Sequence, residues 1–207
     1  MHRIVDTFNP GYRHANPDYH LTQLTEKWAS SSVTERHKAR DVASAVMDTL
    51  HWLQDSQHRL RMLDLSGTGI QSLPPAFVLQ HLSGLEILDL SENALSGGKL
   101  VNLAGLTHLE QLHLRDNPLR EIPLEAINAG DTLEILTLDR CEISEFPLPL
   151  LDLHRLDTLS LQGNPLTALP ENIGYCLQNL SDLDIRDTGI SELPASLDYL
   201  NGLVIRR

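Results

Sequence analysis

The chain has 207 residues, 41% of them hydrophobic but only 4% aromatic, and a formal net charge of −12. That length allows one or two domains with a sizeable core, which here must be mainly aliphatic. The acidity argues against a nucleic-acid binder, which needs a basic face, and against adsorption to anionic membrane surfaces.

Residues 1–15 show no periodicity and are expected to form a mobile N-terminal segment. They lack the apolar stretch of a signal peptide, and no run approaches the roughly 18 apolar residues of a membrane span. Over 16–58 the pattern predicts a cap of two antiparallel helices. Asn16 stands as N-cap of the first with Pro17 at its first position. Ser32 and Glu35 form a capping box for the second. Val42, Val46, Leu50 and Leu53, with Ala39, Ala43 and Met47, line one apolar face of that helix.

From 59 to 207 the chain repeats itself. The pattern L-x-x-L-x-[LI]-x-x-[NTC]-x-[LI] starts at Leu60, Leu85, Leu109, Leu133, Leu156 and Leu180, at intervals of 23 to 25 residues, and a partial seventh copy opens at Leu203. Aliphatic residues at positions four and six point to one side of a short strand, and a lone strand cannot bury them. Stacked copies can, because each supplies the surface that covers the next. In period and consensus the pattern resembles the leucine-rich repeat, from Leu60 to about Leu203. The resemblance implies an α/β leucine-rich repeat solenoid. Its curved parallel sheet lies on the concave side, with short helical or 3-10 segments on the convex side.

Details within the copies carry further expectations. Asn93, Asn117 and Asn164 occupy position nine and are expected to bond backbone groups of the adjoining turns, with Thr68, Thr188 and Cys141 as weaker substitutes. Most copies continue with a proline, as in "EFPLPLL", "ALPENI" and "ELPASL", which suits the first turn of a convex helical segment. The second copy has no proline but carries Ser96-Gly97-Gly98, so its convex segment should be reshaped. At the far end, the last strand is expected either to be shielded by its two arginines and by self-association at the C-terminal end, or, the favoured reading, to continue into a longer protein.

Residues 1–58 are nearly neutral, whereas the repeats carry 10 Lys and Arg against 21 Asp and Glu. In the leucine-rich repeat family the concave face is the usual ligand surface, and its outward positions form rows. Met62, Ile87, Gln111 and Ile135 lie in the third-position row, Asp64, Asp89, His113 and Thr137 in the fifth, and Arg115, Asp139 and Arg186 in the seventh. An aliphatic ladder flanked by carboxylates and arginines suits a protein partner with a partly basic surface. These eleven residues are the candidate binding residues.

Other chemistry has less support. Six of the ten histidines fall in 1–58 without ligand spacing, and Cys141 and Cys176 form no C-x-x-C pair, so no metal or disulfide is expected. No nucleophile elbow, phosphate loop or zinc-protease motif occurs. No catalytic residue or cofactor is therefore assigned, and an enzyme with an unrecognised site is the least favoured reading.

The order of helices, then "ERHKAR", then "LDLSGTGIQSLP" is similar to type III-secreted effectors of bacterial pathogens, especially the plant-pathogen ubiquitin-ligase type. That likeness implies a target-recognition part, acting in the cytoplasm or inside a host cell, whose ligase domain would lie outside these residues. The enteric ligases' C-x-D motif finds no match, since "CEI" at Cys141 lies inside a repeat. The repeats also resemble Ras-associated leucine-rich repeat scaffolds, which implies assembly of signalling complexes without catalysis.

Overall fold

A coil of two dozen residues must leave a sheet and re-enter it one strand further on, about 4.8 Å away, so little of it can be strand. The computed structural model describes residues 61–67, 70–71, 84–100, 103–122 and 132–207. The mobile segment expected over 1–15 and the helical cap expected over 16–58 lie outside these residues. Met62–Asp64, Ile87–Asp89, Gln111–His113, Ile135–Thr137, Thr158–Ser160, Asp182–Asp184 and Val204–Arg206 (β1 to β7) form one parallel sheet in chain order.

The register places Leu63, Leu88, Leu112, Leu136, Leu159, Leu183 and Ile205 in one column across the sheet. From Leu88 to Leu183 no member is more than 2% exposed. Leu65, Leu90, Leu114, Leu138, Leu161 and Ile185 form a second buried column beside it. Leu63 and Ile205, at the two ends of the sheet, are only partly buried. The seventh coil reaches its strand one residue sooner than a copy counted from Leu203 would. Ile205 pairs with Leu183 and Arg206 with Asp184. Sliding by one residue would turn the Arg206 guanidinium into the core, so burial of Ile205 fixes the register.

Each of the first six strands is followed by a turn with a left-handed residue at position eight. Gly67, Glu92, Asp116, Arg140, Gly163 and Asp187 all have φ between 51° and 69°. Glycine takes this conformation freely and Asp tolerates it, whereas Arg140 and Glu92 hold it at a cost of about 1–2 kcal/mol.

The asparagines bond as expected. Asn93 Nδ2 donates to the Leu65 and Leu90 carbonyls while its Oδ1 accepts the Ile70 amide. Asn117 repeats the arrangement with Leu90, Leu114 and Leu95, and Asn164 with Leu138, Leu161, Cys141 and Ile143.

On the convex side lie 3-10 turns at Gly97–Lys99, Leu103–Gly105, Leu148–Asp152 and Ala195–Tyr199, and a helical turn at Ile173–Cys176. Pro147 and Pro194 do not occupy the first helical position but stand just before it, in extended conformation. The reason is the carbonyl. Pro147, Pro170 and Pro194 each accept the amide three residues on, from Leu150, Ile173 and Leu197. The second coil is reshaped as expected, into two successive 3-10 turns around a buried Gly97.

Candidate partner-binding face

Strand parity leaves positions three, five and seven on the concave side, and the register sets them in rows. The third-position row runs Met62, Ile87, Gln111, Ile135, Thr158, Asp182 and Val204. Met62, Ile87 and Ile135 are half-buried rather than fully exposed. A side chain in such a row is partly covered by neighbours about 4.8 Å to either side.

The fifth and seventh rows spend much of their hydrogen-bonding capacity internally. Asp64 Oδ1 accepts the Ser66 amide and hydroxyl at 2.9 and 2.7 Å. Asp89 accepts the Ser91 amide at 2.9 Å. Such bonds hold the strand-to-turn corner. His113 Nδ1 lies 3.1 Å from Thr137 Oγ1. Asp139 accepts the Ser160 hydroxyl and the Gln162 amide. Arg186 clasps Asp184, with Nε 3.0 Å from Oδ1 and Nη2 2.6 Å from Oδ2. Asp184 is 5% exposed, and the arginine beside it holds its carboxyl below the usual range. Arg115 donates to Asp116 at 2.8 Å and reaches Glu92 at 3.4 Å.

The side chains stand in the expected rows, with their charged groups in large part bonded within the protein. Arg140, which the sequence did not single out, forks onto Asp116 at 2.6 and 2.8 Å. Those bonds, then the bond from Arg115, bring the Asp116 pKa down to about 2. The Arg140 side chain crosses the open face of Gly163, where a Cβ would meet its Cγ at 2.7 Å. A row at position two was missed as well. Arg61, Glu86, Glu110, Glu134 and Asp157 immediately precede the strands and form a charged rim. Arg61 pairs with Glu86, and Arg155 with Glu134 at 2.9 Å. The signal was present: every copy from the first to the fifth has a charge next to its first leucine.

Cys141 fills the asparagine site of its coil. Its thiol donates to the Leu114 carbonyl at 3.2 Å, and burial pushes its pKa up to about 12. Such a thiol is a structural donor rather than a nucleophile. Among the described residues no group of three or more His, Cys, Asp or Glu is placed to hold a metal, and no helix is long and apolar enough to cross a membrane.

A family model described as leucine rich repeat matches residues 58–119. Together with the stacked columns, this decides the kind of fold. The chain is a leucine-rich repeat solenoid. Relatives of the repeats are broadly spread. They are 30% identical over 154 residues to the mouse leucine-rich repeat serine/threonine-protein kinase 1, covering 72% of this chain and 7% of that protein. They are 31% identical over 137 residues to a probable serine/threonine-protein kinase, pats1, of Dictyostelium discoideum, covering 64% and 4%. The human PH domain leucine-rich repeat-containing protein phosphatase 1 is 27% identical over 139 residues, covering 67% and 8%. The chain therefore spans less than a tenth of these curated relatives.

Solved leucine-rich repeat structures superpose on 70% of the chain. A plant peptide hormone receptor, RGFR1, in complex with RGF2 gives a TM-score of 0.57 at 34% identity, over 24% of that chain. A Leptospira interrogans LRR protein gives 0.56 at 22% identity over 42%, and a Listeria monocytogenes internalin 0.57 at 21% over 39%. The two bacterial structures share the fold. The solenoid thus shares its fold with leucine-rich repeat proteins of bacteria and eukaryotes alike.

Proposed function

We propose that this repeat solenoid binds a protein partner on its concave face, as the recognition part of a signalling assembly. The observation that carries the reading is the aliphatic ladder of Met62, Ile87 and Ile135, set on a face whose neighbouring polar groups are largely bonded to one another. Partly exposed aliphatic residues in a row favour a covering partner. The excess of carboxylates in the repeats favours a partner with a partly basic surface. What supports a signalling role over a secreted effector is the character of the relatives, two of which are named as kinases and one as a phosphatase. Cytoplasmic action follows from that reading, and self-association at the β7 end, where Val204 is 52% exposed, is a further part of it.

The test is a quantitative pull-down from the cells that make the protein. Tagged wild-type chain is compared with an Ile87→Asp, Ile135→Asp double variant and with Tyr199→Ala on the convex side. The same protein should be retained by the wild type and by Tyr199→Ala and lost from the double variant, with the melting temperature of all three alike. Equal retention by the double variant would remove the concave face from consideration. The mass of the purified wild type by light scattering reports on self-association, and a monomer throughout the concentration range rejects that part.

A further inference from the structure

The two halves of the concave face differ. Over β5 to β7 the polar side chains hold one another. Asp182 pairs with Arg206, Asp184 with Arg186, Ser160 with Asp139, and Gln162 Nε2 donates to Asp187 at 3.0 Å. Over β2 to β4 the third-position row reads Ile87, Gln111, Ile135. Gln111 is half-buried, and its side-chain amide has no hydrogen-bond partner among the described residues. At the rim beside it, Glu86 and Glu134 each have an arginine, while the exposed Glu110 between them has no ion pair among the described residues.

We infer that this strip docks an extended segment of another protein in which a lysine or arginine stands beside an aliphatic residue, and in which a backbone peptide group meets the Gln111 amide. A carboxamide presents one acceptor and two donors, the complement of a peptide N–H and C=O. A wholly apolar partner would cover that amide and leave it unpaired, which is unfavourable. The two isoleucines require apolar side chains on either side. Glu110, which has no ion pair of its own among the described residues although the charge of Arg61 reaches it, selects a cation and repels an acidic segment. The dimensions agree with a segment in the polyproline II form: Ile87 to Ile135 spans two strand spacings, about 9.6 Å, and three residues of such a chain advance about 9.3 Å and return a side chain to the same side. The net charge of −12 acts in the same direction, steering a basic segment towards the solenoid.

The inference rests on the concave face being the recognition surface, and its test separates the two. The full chain is used to select from a random peptide library displayed on phage. Enriched peptides are then synthesised, and their affinity is measured by fluorescence anisotropy for the wild type, Glu110→Lys, Gln111→Leu and Thr158→Lys. Enriched sequences should combine aliphatic residues with Lys or Arg. Their binding should weaken about tenfold in Glu110→Lys and Gln111→Leu, as for loss of a charged or buried hydrogen bond, and hardly change in Thr158→Lys. Glu110→Gln serves as a milder variant if the reversal disturbs folding. Enrichment of acidic peptides, or binding that responds only to Thr158→Lys, overturns the inference while leaving the concave face as the binding surface. Binding insensitive to all these substitutions overturns both. An empty selection also rejects a linear segment as the ligand.

Discussion

A buried asparagine has both donors and acceptors to satisfy, and Asn164 satisfies its own across two coils. Its Oδ1 accepts the Cys141 and Ile143 amides, each at 3.0 Å, and its Nδ2 donates at 2.7 and 2.8 Å to the Leu138 and Leu161 carbonyls. Where Cys141 replaces asparagine, the thiol supplies a donor but a poor acceptor. The Leu119 amide accordingly turns to the Asn117 carbonyl of its own coil, at 2.8 Å. Charged residues show the same economy. Asp116, about 30% exposed, bridges Arg115 and Arg140. Its pKa in the folded chain, about 2, lies below the ordinary 3.8. The pairing therefore adds stability above the ordinary value and loses it as pH falls towards 2. Asn is also tolerated in the left-handed conformation of this position, so Asp116→Asn isolates the charge. That variant should melt roughly 2–4 °C below the wild type at neutral pH, as for a loss near 1 kcal/mol. The gap should close as pH is lowered towards 2 in a series of thermal melts. A gap independent of pH would mean that the charge of Asp116 contributes nothing.

At the scale of the element, strands and turns obey different constraints. A three-residue strand is defined by parity alone, so any sequence with aliphatic residues at positions four and six can supply it. The convex segments are more particular. Proline carbonyls start three of them, and the second coil achieves its close approach with Gly97. The Gly97 amide donates to the Leu119 carbonyl at 3.0 Å, and a Cβ there would come within 1.9 Å of the Glu121 carbonyl oxygen. Gly98, next in sequence, has nothing within 4 Å of such a Cβ. Gly97→Ala should therefore destabilise by about 1–3 kcal/mol, as other overpacked sites do. Gly98→Ala should stay within about 0.5 kcal/mol of the wild type. Urea midpoints compare the two, and equal effects would mean that the backbone contact at Gly97 is not limiting.

For the whole molecule the governing fact is that each coil is stabilised by its neighbours. Leu112, in the middle of the inward column, is 1% exposed, whereas Ile205 at its end is only partly buried. Leu112→Ala should cost about 2–5 kcal/mol. Ile205→Ala should cost markedly less, because less surface returns to water and one side of the residue has no further coil of the described sheet. Chemical denaturation followed by circular dichroism gives both values. Similar losses would mean that stability is not carried by coil-to-coil stacking. Neither substitution alters the concave surface, so binding measured on the folded fraction should be unchanged.

The period of the coils, the two inward columns, the asparagine positions and the rows of the concave face were all legible in the sequence. They depend on spacing within one copy and on strand parity, both of which are local. The tertiary structure decided which polar groups on that face remain available. Asp116 is bound by Arg140, Arg186 is held by Asp184, and Gln111 is left open between two isoleucines. Arg140 lies a full coil from Asp116, at a separation of 24 residues, and the two isoleucines each lie a coil from Gln111. The register of β7 was likewise settled only by packing, where burying Ile205 instead of Arg206 shifted the last strand by one residue. A local pattern fixes which way a side chain points, but what it meets is fixed by the neighbouring coil.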